Sequence, residues 1–299
     1  MAQVMENRFI DPAVLAGIKN LQLLAKTVVE GFISGLHQSP YHGFSLEFME
    51  YREYTPGDDI RGIDWKVYAR SDRFYVKKFQ GETNTRIHIL LDSSKSMAFS
   101  SHKLTKLEYA SYLAASLAHF AVKQKDAAGL MVFDSEIRSY LPPRSRSGQF
   151  LQVLKRLEHL EPGGQTDISA SLDSMSGLIK KRGLVVLISD FYQEVEEVTK
   201  ALRFFHHRGN DLILFHLLDP VELELPLDKT MTLEDMETEE RVPYDPETSR
   251  EVYLRRLQDH IKELRRECSA HAIDYELINT EEPLDRALHR YLSVRSRNL

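Results

Sequence analysis

The stretch Arg86–Met97, RIHILLDSSKSM, decides the fold of this 299-residue chain. Its first half is a short apolar run of isoleucine and leucine, which predicts a buried strand of a parallel sheet. The run stops at Asp92 and gives way to small hydroxyl residues, as expected where a strand ends in a loop that carries a site. The resulting pattern, Asp-x-Ser-x-Ser, consists of Asp92, Ser94 and Ser96.

These three side chains point to a metal site because of the atoms they offer. All of them supply oxygen, and only one is charged, a combination that suits a hard divalent cation such as Mg²⁺ or Mn²⁺. The alternative is that aspartate and serine only form a turn after the strand. The short motif by itself does not decide between the two interpretations.

Two later stretches favour the metal site. The glycine turn Gly163-Gly164-Gln165-Thr166-Asp167 presents Thr166 just before a predicted helix, and the apolar run Gly183–Ser189, GLVVLIS, predicts a second buried strand that ends at Asp190. Open α/β sheets place their ligand sites outside the carboxyl ends of the strands. We therefore expect five side chains to converge there: Asp92, Ser94, Ser96, Thr166 and Asp190.

The same five positions, in this order, resemble the metal-ion-dependent adhesion site of von Willebrand factor A-type domains. The resemblance implies that the hydroxyls and one carboxylate contact Mg²⁺ or Mn²⁺ directly or through water, and that an acidic residue of a partner protein fills the remaining position. A cation held mostly by neutral ligands stays electron-poor, so an incoming carboxylate is a strong additional ligand.

Composition supports a folded protein of ordinary type. With 42% hydrophobic and 28% charged residues, the chain suits one large or two small domains. A net charge of −6 gives no reason to expect a nucleic-acid or membrane surface. The single cysteine, Cys268, excludes an internal disulfide framework and is expected to be a buried thiol. Without a secretory signal or an uninterrupted apolar span, we expect no membrane span and a cytoplasmic location.

The order of predicted elements indicates an α/β fold with a doubly wound, mainly parallel sheet of the Rossmann type. We divide the chain into an N-terminal helical segment (residues 1–40), a small β-rich segment (41–84) and a von Willebrand A-like domain (85–299). The helical segment is predicted over residues 11–36, with an apolar face that packs on the rest of the protein. After the strand at 129–133 we expect a hairpin partner at 137–141 and then a basic loop at 142–148.

An acidic insertion at residues 219–246 departs from this plan, and within it residues 231–242 are predicted to form an exposed hairpin. The simplest interpretation is a solvated insertion. The alternatives are that it docks a basic surface of a partner or lies near the metal crevice.

The β-rich segment carries a second resemblance, to the bacterial and archaeal "domain of unknown function 58" family. The matching residues are Gly43, Glu47-Phe48, Arg52-Glu53-Tyr54, Pro56-Gly57-Asp58-Asp59, Arg61, Ile63-Asp64-Trp65-Lys66 and Ala69-Arg70. The similarity continues through Asp219-Pro220 and Leu225-Pro226 into the final helices. It implies a β segment joined to a von Willebrand A-like domain and a MoxR-type AAA+ ATPase as partner, in the assembly or maturation of protein complexes.

We therefore predict a non-catalytic, metal-dependent protein-binding module. The chain has no G-x-x-x-x-G-K-[ST] loop that would hydrolyse nucleotide by itself. One alternative is a Mg²⁺-dependent phosphohydrolase with Asp92 as nucleophile. It is disfavoured because Ser94 stands where a second carboxylate would act as acid and base, and no histidine falls in the three ligand loops. The other alternative is a metal-independent structural scaffold.

Overall fold

The structure is a computed structural model that describes residues 20–38, 50–53, 68, 73–78, 85–164 and 168–297. Its strands, in chain order, are β1 (Glu50–Glu53), β2 (Tyr75–Lys78), β3 (Arg86–Asp92), β4 (Ala127–Phe133), β5 (Ile137–Arg144), β6 (Leu184–Ser189), β7 (Asp211–Leu218), β8 (Met231–Glu234), β9 (Arg241–Tyr244) and β10 (Asp274–Asn279). Its α-helices are α1 (Leu21–Gln38), α2 (Lys106–Lys123), α3 (Gln149–Leu157), α4 (Ile168–Ser176), α5 (Val195–His207), α6 (Pro220–Glu224), α7 (Pro246–Ala270) and α8 (Asp285–Arg297).

The central sheet has the strand order β10-β7-β6-β3-β4-β5. Five of its strands run parallel, and β5 is antiparallel to β4 at one edge. The order reverses between β3 and β6, which is the position where an open α/β sheet forms a crevice at its carboxyl edge. The prediction of a doubly wound, mainly parallel sheet is confirmed.

Helices cover both faces of this sheet because successive side chains of a buried strand point to opposite sides. On β3, Ile87, Ile89 and Leu91 pack with one set of helices, and Leu90 packs with the other. The first set is α1, α2, α3 and α8, and the second is α4, α5 and α7. Burial of each such side chain contributes about 1.5–3 kcal/mol relative to an exposed one, so the central strands anchor the loops at their ends.

Helix α1 packs against the domain as its apolar spacing predicts. Phe32 lies in the core, where its ring centroid is 6.3 Å from that of Phe120 on α2 and 4.7 Å from that of His289 on α8. The helix continues to Gln38, two residues beyond the predicted end. The predicted start at residue 11 lies outside the described residues.

The prediction of a basic loop at residues 142–148 is partly wrong. Strand β5 extends to Arg144 and includes Pro142 and Pro143. Proline has no N–H group to donate. An edge strand tolerates it because one side of the strand has no neighbouring strand that would accept such a hydrogen bond. A register shift opposite Gly129 brings β5 so close that a side chain there would lie 2.7 Å from the Pro143 nitrogen, which is why glycine occupies this position of β4.

In the β-rich segment the sequence predicts short strands at residues 46–54, 63–69 and 74–79. Strands β1 and β2 lie within the first and the last of these, and they pair antiparallel. The middle predicted strand, residues 63–69, lies outside the described residues except for Tyr68, which is helical. Its ring stacks on that of Phe74, with centroids 4.3 Å apart. Most of the family-like motif of this segment also lies outside the described residues.

The exposed hairpin predicted in the acidic insertion is present as β8 and β9. Residues 231–244 are called the acidic hairpin below. The residues of both its strands are exposed except for Tyr244, which is buried and whose hydroxyl donates a hydrogen bond to the carbonyl of Leu227. Cys268 is a buried free thiol in α7, as predicted. None of the helices in the described ranges combines the length and apolarity needed to cross a membrane.

Candidate functional site

The loop after β3, residues 93–98, is called the serine loop. Its start is fixed to the neighbouring strand by Ser93, whose amide and hydroxyl both donate to the carbonyl of Phe133, at 2.7 and 3.0 Å. The amide of Ser94 donates back to the carboxylate of Asp92 at 2.8 Å, and Lys95–Ala98 then form one turn of 3₁₀-helix. These bonds hold the two motif serines at the carboxyl edge of the sheet, as the sequence predicts.

Asp92 links the two central strands. Its second carboxylate oxygen accepts a 2.6 Å hydrogen bond from the hydroxyl of Ser189, the last residue of β6. The side chain is fully buried, and burial together with the charge of Asp190 raises the pKa of Asp92 to about 7, against the opposing hydrogen bonds from Ser189 and Ser94. A buried carboxylate beside a second carboxylate is electrostatically costly, and a bound cation relieves that cost.

The two serine hydroxyls of the motif lie together, with their oxygens 3.1 Å apart. Ser94 is fully buried, whereas Ser96 is half-buried and is the one of the two that solvent reaches.

The glycine turn also reaches the serine loop, as predicted. The amide of Gly163 donates to the carbonyl of Ser93 at 2.5 Å, and the amide of Lys95 donates to the carbonyl of Gly164 at 2.9 Å. Asp134, after β4, accepts from the Gly164 amide at 3.0 Å and therefore fixes the turn from the other side. Thr166 itself lies outside the described residues, so its predicted place in the site stays a prediction.

Asp190 reaches the site together with Lys106, a residue outside the five-residue motif. The ammonium of Lys106 lies 2.8 Å from the carboxylate of Asp190 and 2.6 Å from that of Glu222. The lysine side chain is completely buried. Burial alone would lower the pKa of Lys106, but the charges of Asp190 and Glu222 outweigh this and raise it, which favours the ammonium form.

A signal for Lys106 does exist in the sequence. Thr105 and Glu108 form a capping box at the start of α2, which places Lys106 at the first helical position. The partial positive charge of a helix start disfavours a cation there. A lysine directly after a threonine cap is therefore a candidate for a nearby acidic partner.

The acidic insertion lies against this site. Glu239, near the tip of the acidic hairpin, pairs with Lys95 of the serine loop. Asp219 is buried at the start of the insertion and accepts a 2.8 Å hydrogen bond from the amide of Ser101. The insertion therefore lies near the serine loop, one of the placements left open by the sequence, and its docking to a partner stays a prediction.

The donor set fits a hard divalent cation. Asp92, Ser94, Ser96 and Asp190 offer only oxygen atoms, and the repulsion between the two carboxylates supplies an electrostatic reason for a cation. Within the described ranges, no three histidine, cysteine, aspartate or glutamate side chains group as a metal site. An ion at this place would therefore depend on the hydroxyls.

The chain is similar to known proteins both in its sequence and in its fold. The family described as "Protein of unknown function DUF58" matches residues 50–263. The chain belongs to the DUF58 family. A relative, the uncharacterized protein Rv1480 of Mycobacterium tuberculosis, is 26% identical over 231 residues, which is 76% of this chain and 72% of that protein.

One solved structure similar to this DUF58 protein shares its fold. An aerotolerance-related membrane protein from Bacteroides fragilis superposes with a TM-score of 0.51 at 16% identity, covering 71% of this chain and 99% of that one. At this identity the likeness concerns the fold alone. The VWA domain of SpRpn10 superposes with a TM-score of 0.40 at 13% identity and covers 68% of this chain and 93% of that one.

Proposed function

We propose that this DUF58 protein is a non-catalytic module that binds a partner protein through a divalent metal, Mg²⁺ or Mn²⁺, and that its partner is a MoxR-type AAA+ ATPase acting in the assembly or maturation of protein complexes. The observation that carries the proposal is the convergence of Asp92, Ser94, Ser96 and Asp190 at the switch point of the sheet. The choice of ATPase rests on the family resemblance alone.

In this proposal, Asp92, Ser94 and Ser96 hold the ion together with Thr166, and Asp190 supports the site from behind. The bound cation supplies a coordination position for a carboxylate of the partner. The half-buried Ser96 is where that carboxylate would approach, because Asp92 and Ser94 have no exposed surface.

Binding rather than catalysis is favoured by the groups around Asp92. Asp92 has no exposed surface, and a nucleophile must itself reach the substrate, whereas a metal ligand has to reach only the ion. The residue two positions later is Ser94, which cannot transfer protons as a second carboxylate would. A phosphohydrolase would show turnover that Asp92→Asn abolishes.

The metal-independent scaffold remains the second candidate, and one observation favours it. Lys106 already neutralises Asp190 without any ion. A scaffold predicts partner binding that is indifferent to chelators.

The test is binding of a purified MoxR-type ATPase from the same organism to the immobilised full chain, measured with Mn²⁺, with EDTA, and with the variant Asp92→Asn. The proposal expects a complex that only the wild-type chain forms and only with metal. Equal binding in all three arms would support the scaffold instead.

A further inference from the structure

The buried ammonium of Lys106 carries a further inference, which rests on the proposed function. We propose that Lys106 is a positioning residue that withholds Asp190 from the metal, so that Asp92 is the only carboxylate ligand among the described residues of the site. The site is thereby set to accept a carboxylate from outside.

The Lys106 ammonium lies 2.8 Å from Asp190 Oδ2, the distance of a strong charge-assisted hydrogen bond. Asp190 is thus paired with a cation, whereas the oxygens of Asp92 accept hydrogen bonds only from the neutral amide of Ser94 and the neutral hydroxyl of Ser189. Asp190 is therefore a poorer metal ligand than Asp92, although the motif places it at the site.

The Lys106 side chain is held in one position by its surroundings. It is buried, with its ammonium 5.1 Å from the ring centroid of Tyr192 and 5.9 Å from that of Phe99. Glu222 holds the opposite side of the ammonium at 2.6 Å, and its other carboxylate oxygen accepts from the amide of Asp219. Breaking one partner from such a buried group is strongly unfavourable, so the lysine is fixed rather than mobile.

The number of carboxylate ligands sets the net charge of the bound ion. Two carboxylate ligands would neutralise a divalent cation, whereas one leaves it with a net positive charge. A net positive ion attracts an acidic group of a partner more strongly. Lys106 would therefore reduce intrinsic metal affinity and increase affinity for the partner's carboxylate, which is a specificity role and not only a structural one.

The test uses Mn²⁺ as the metal and acetate as the carboxylate probe, with the full chain. Mn²⁺ affinity is measured by electron paramagnetic resonance, and the number of exchangeable waters on bound Mn²⁺ by water proton relaxation. In Lys106→Met, Asp190 is released to the ion. We expect Mn²⁺ to bind about tenfold more tightly, the scale on which groups next to a metal ligand act, with fewer exchangeable waters and weaker binding of acetate.

Two further variants show that the effect passes through Asp190. The double variant Lys106→Met/Asp190→Asn removes the released carboxylate and should return the Mn²⁺ affinity towards that of the wild type. Lys103→Met, which changes the same charge at an exposed residue nearby, should behave as the wild type. Mn²⁺ binding by Lys106→Met that equals or falls below the wild type would overturn the inference.

A milder variant keeps the test decisive if Lys106→Met does not fold. Glu222→Gln leaves Asp190 as the only anion that pairs with Lys106 among the described residues. Mn²⁺ affinity should therefore fall several-fold, whereas Glu224→Gln on the same short helix should not change it. A rise in Glu222→Gln would contradict the inference. Absence of Mn²⁺ binding in every chain, the wild type included, would instead refute the proposed function and the inference with it.

Discussion

Glu239 and Lys95 form a 3.1 Å ion pair that joins the tip of the acidic hairpin to the serine loop. Both side chains are well exposed, at 73% and 43%, so the pair is worth at most about 1 kcal/mol and is screened by salt. The hairpin is therefore held over the edge of the site only weakly. This predicts that the contact opens easily when a partner arrives.

The variant Glu239→Gln should release the hairpin tip without unfolding the domain. We expect faster amide hydrogen exchange in residues 231–244 and a change of less than about 1 kcal/mol in the free energy of unfolding. The measurement is hydrogen exchange by mass spectrometry at low and high salt, with Glu240→Gln as the control of equal charge. Identical exchange in Glu239→Gln and the wild type at low salt would show that the pair does not hold the hairpin.

The two adjacent glycines of the turn predict different outcomes for the same substitution. A β-carbon on Gly163 would lie 2.1 Å from the Asp134 carboxylate, whereas one on Gly164 would meet nothing within 4 Å. Gly163→Ala should therefore displace the turn, lower the free energy of unfolding by about 1–3 kcal/mol, and weaken Mn²⁺ binding. Gly164→Ala is the matched control, and urea denaturation with Mn²⁺ titration measures both. Equal behaviour of the two variants would argue against the tight contact at Asp134.

Two substitutions of Asp92 separate its hydrogen bonds from its charge. Asp92→Ala leaves the Ser189 hydroxyl and the Ser94 amide without their acceptor and should cost about 1–3 kcal/mol. Asp92→Asn keeps an acceptor oxygen and removes the repulsion from Asp190. Without metal it should therefore be as stable as the wild type or more so, by urea denaturation. Neither variant should bind Mn²⁺, and a metal-free Asn variant less stable than Ala would contradict this account.

The free energy of unfolding should fall in mild acid because His88 is buried in its neutral form. Burial, assisted by Arg86, lowers the pKa of His88 from 6.5 to about 4. Between these values the unfolded chain binds the proton and the folded chain does not, so this stability is present above pH 6.5 and is lost as pH falls towards 4. The loss from pH 7.5 to pH 5 is about 2 kcal/mol.

The variant His88→Leu should lack this part of the pH dependence, and the exposed control His159→Leu should keep it. The comparison is made between variants by urea denaturation at each pH. Asp92 and Asp285 act in the opposite sense in every chain, because burial raises their pKa values to about 7 and about 6. A His88→Leu chain that loses as much stability as the wild type would refute the assignment.

The sequence predicts the framework of the site well because local signals define it. Apolar runs mark β3 and β6, and the polar residues that end them mark the carboxyl edge of the sheet. Once two parallel strands are neighbours, their ends must be close. That is why the approach of Asp92 to the end of β6 follows from the pattern alone.

The pairing of Lys106 with Glu222 cannot be predicted from the sequence because it is not local, although the cap at Thr105 marks Lys106 as a candidate for an acidic partner. Lys106 and Glu222 are separated by 116 residues and meet only in the folded chain. A lysine at the start of an amphipathic helix normally points to solvent, and apolar spacing carries no information about which acid will meet it. The proline-containing end of β5 was missed for a related reason, since only its position at the sheet edge makes proline acceptable.

The hydrogen bond between Ser189 and Asp92 also bears on the order of folding. It spans 97 residues, and it forms only when β3 and β6 have paired side by side. Parallel pairing of such distant segments closes a long loop and belongs to the slow part of folding. An ion that recognises the completed site should therefore leave the folding rate nearly unchanged and act on the unfolding rate, prolonging the lifetime of the native chain.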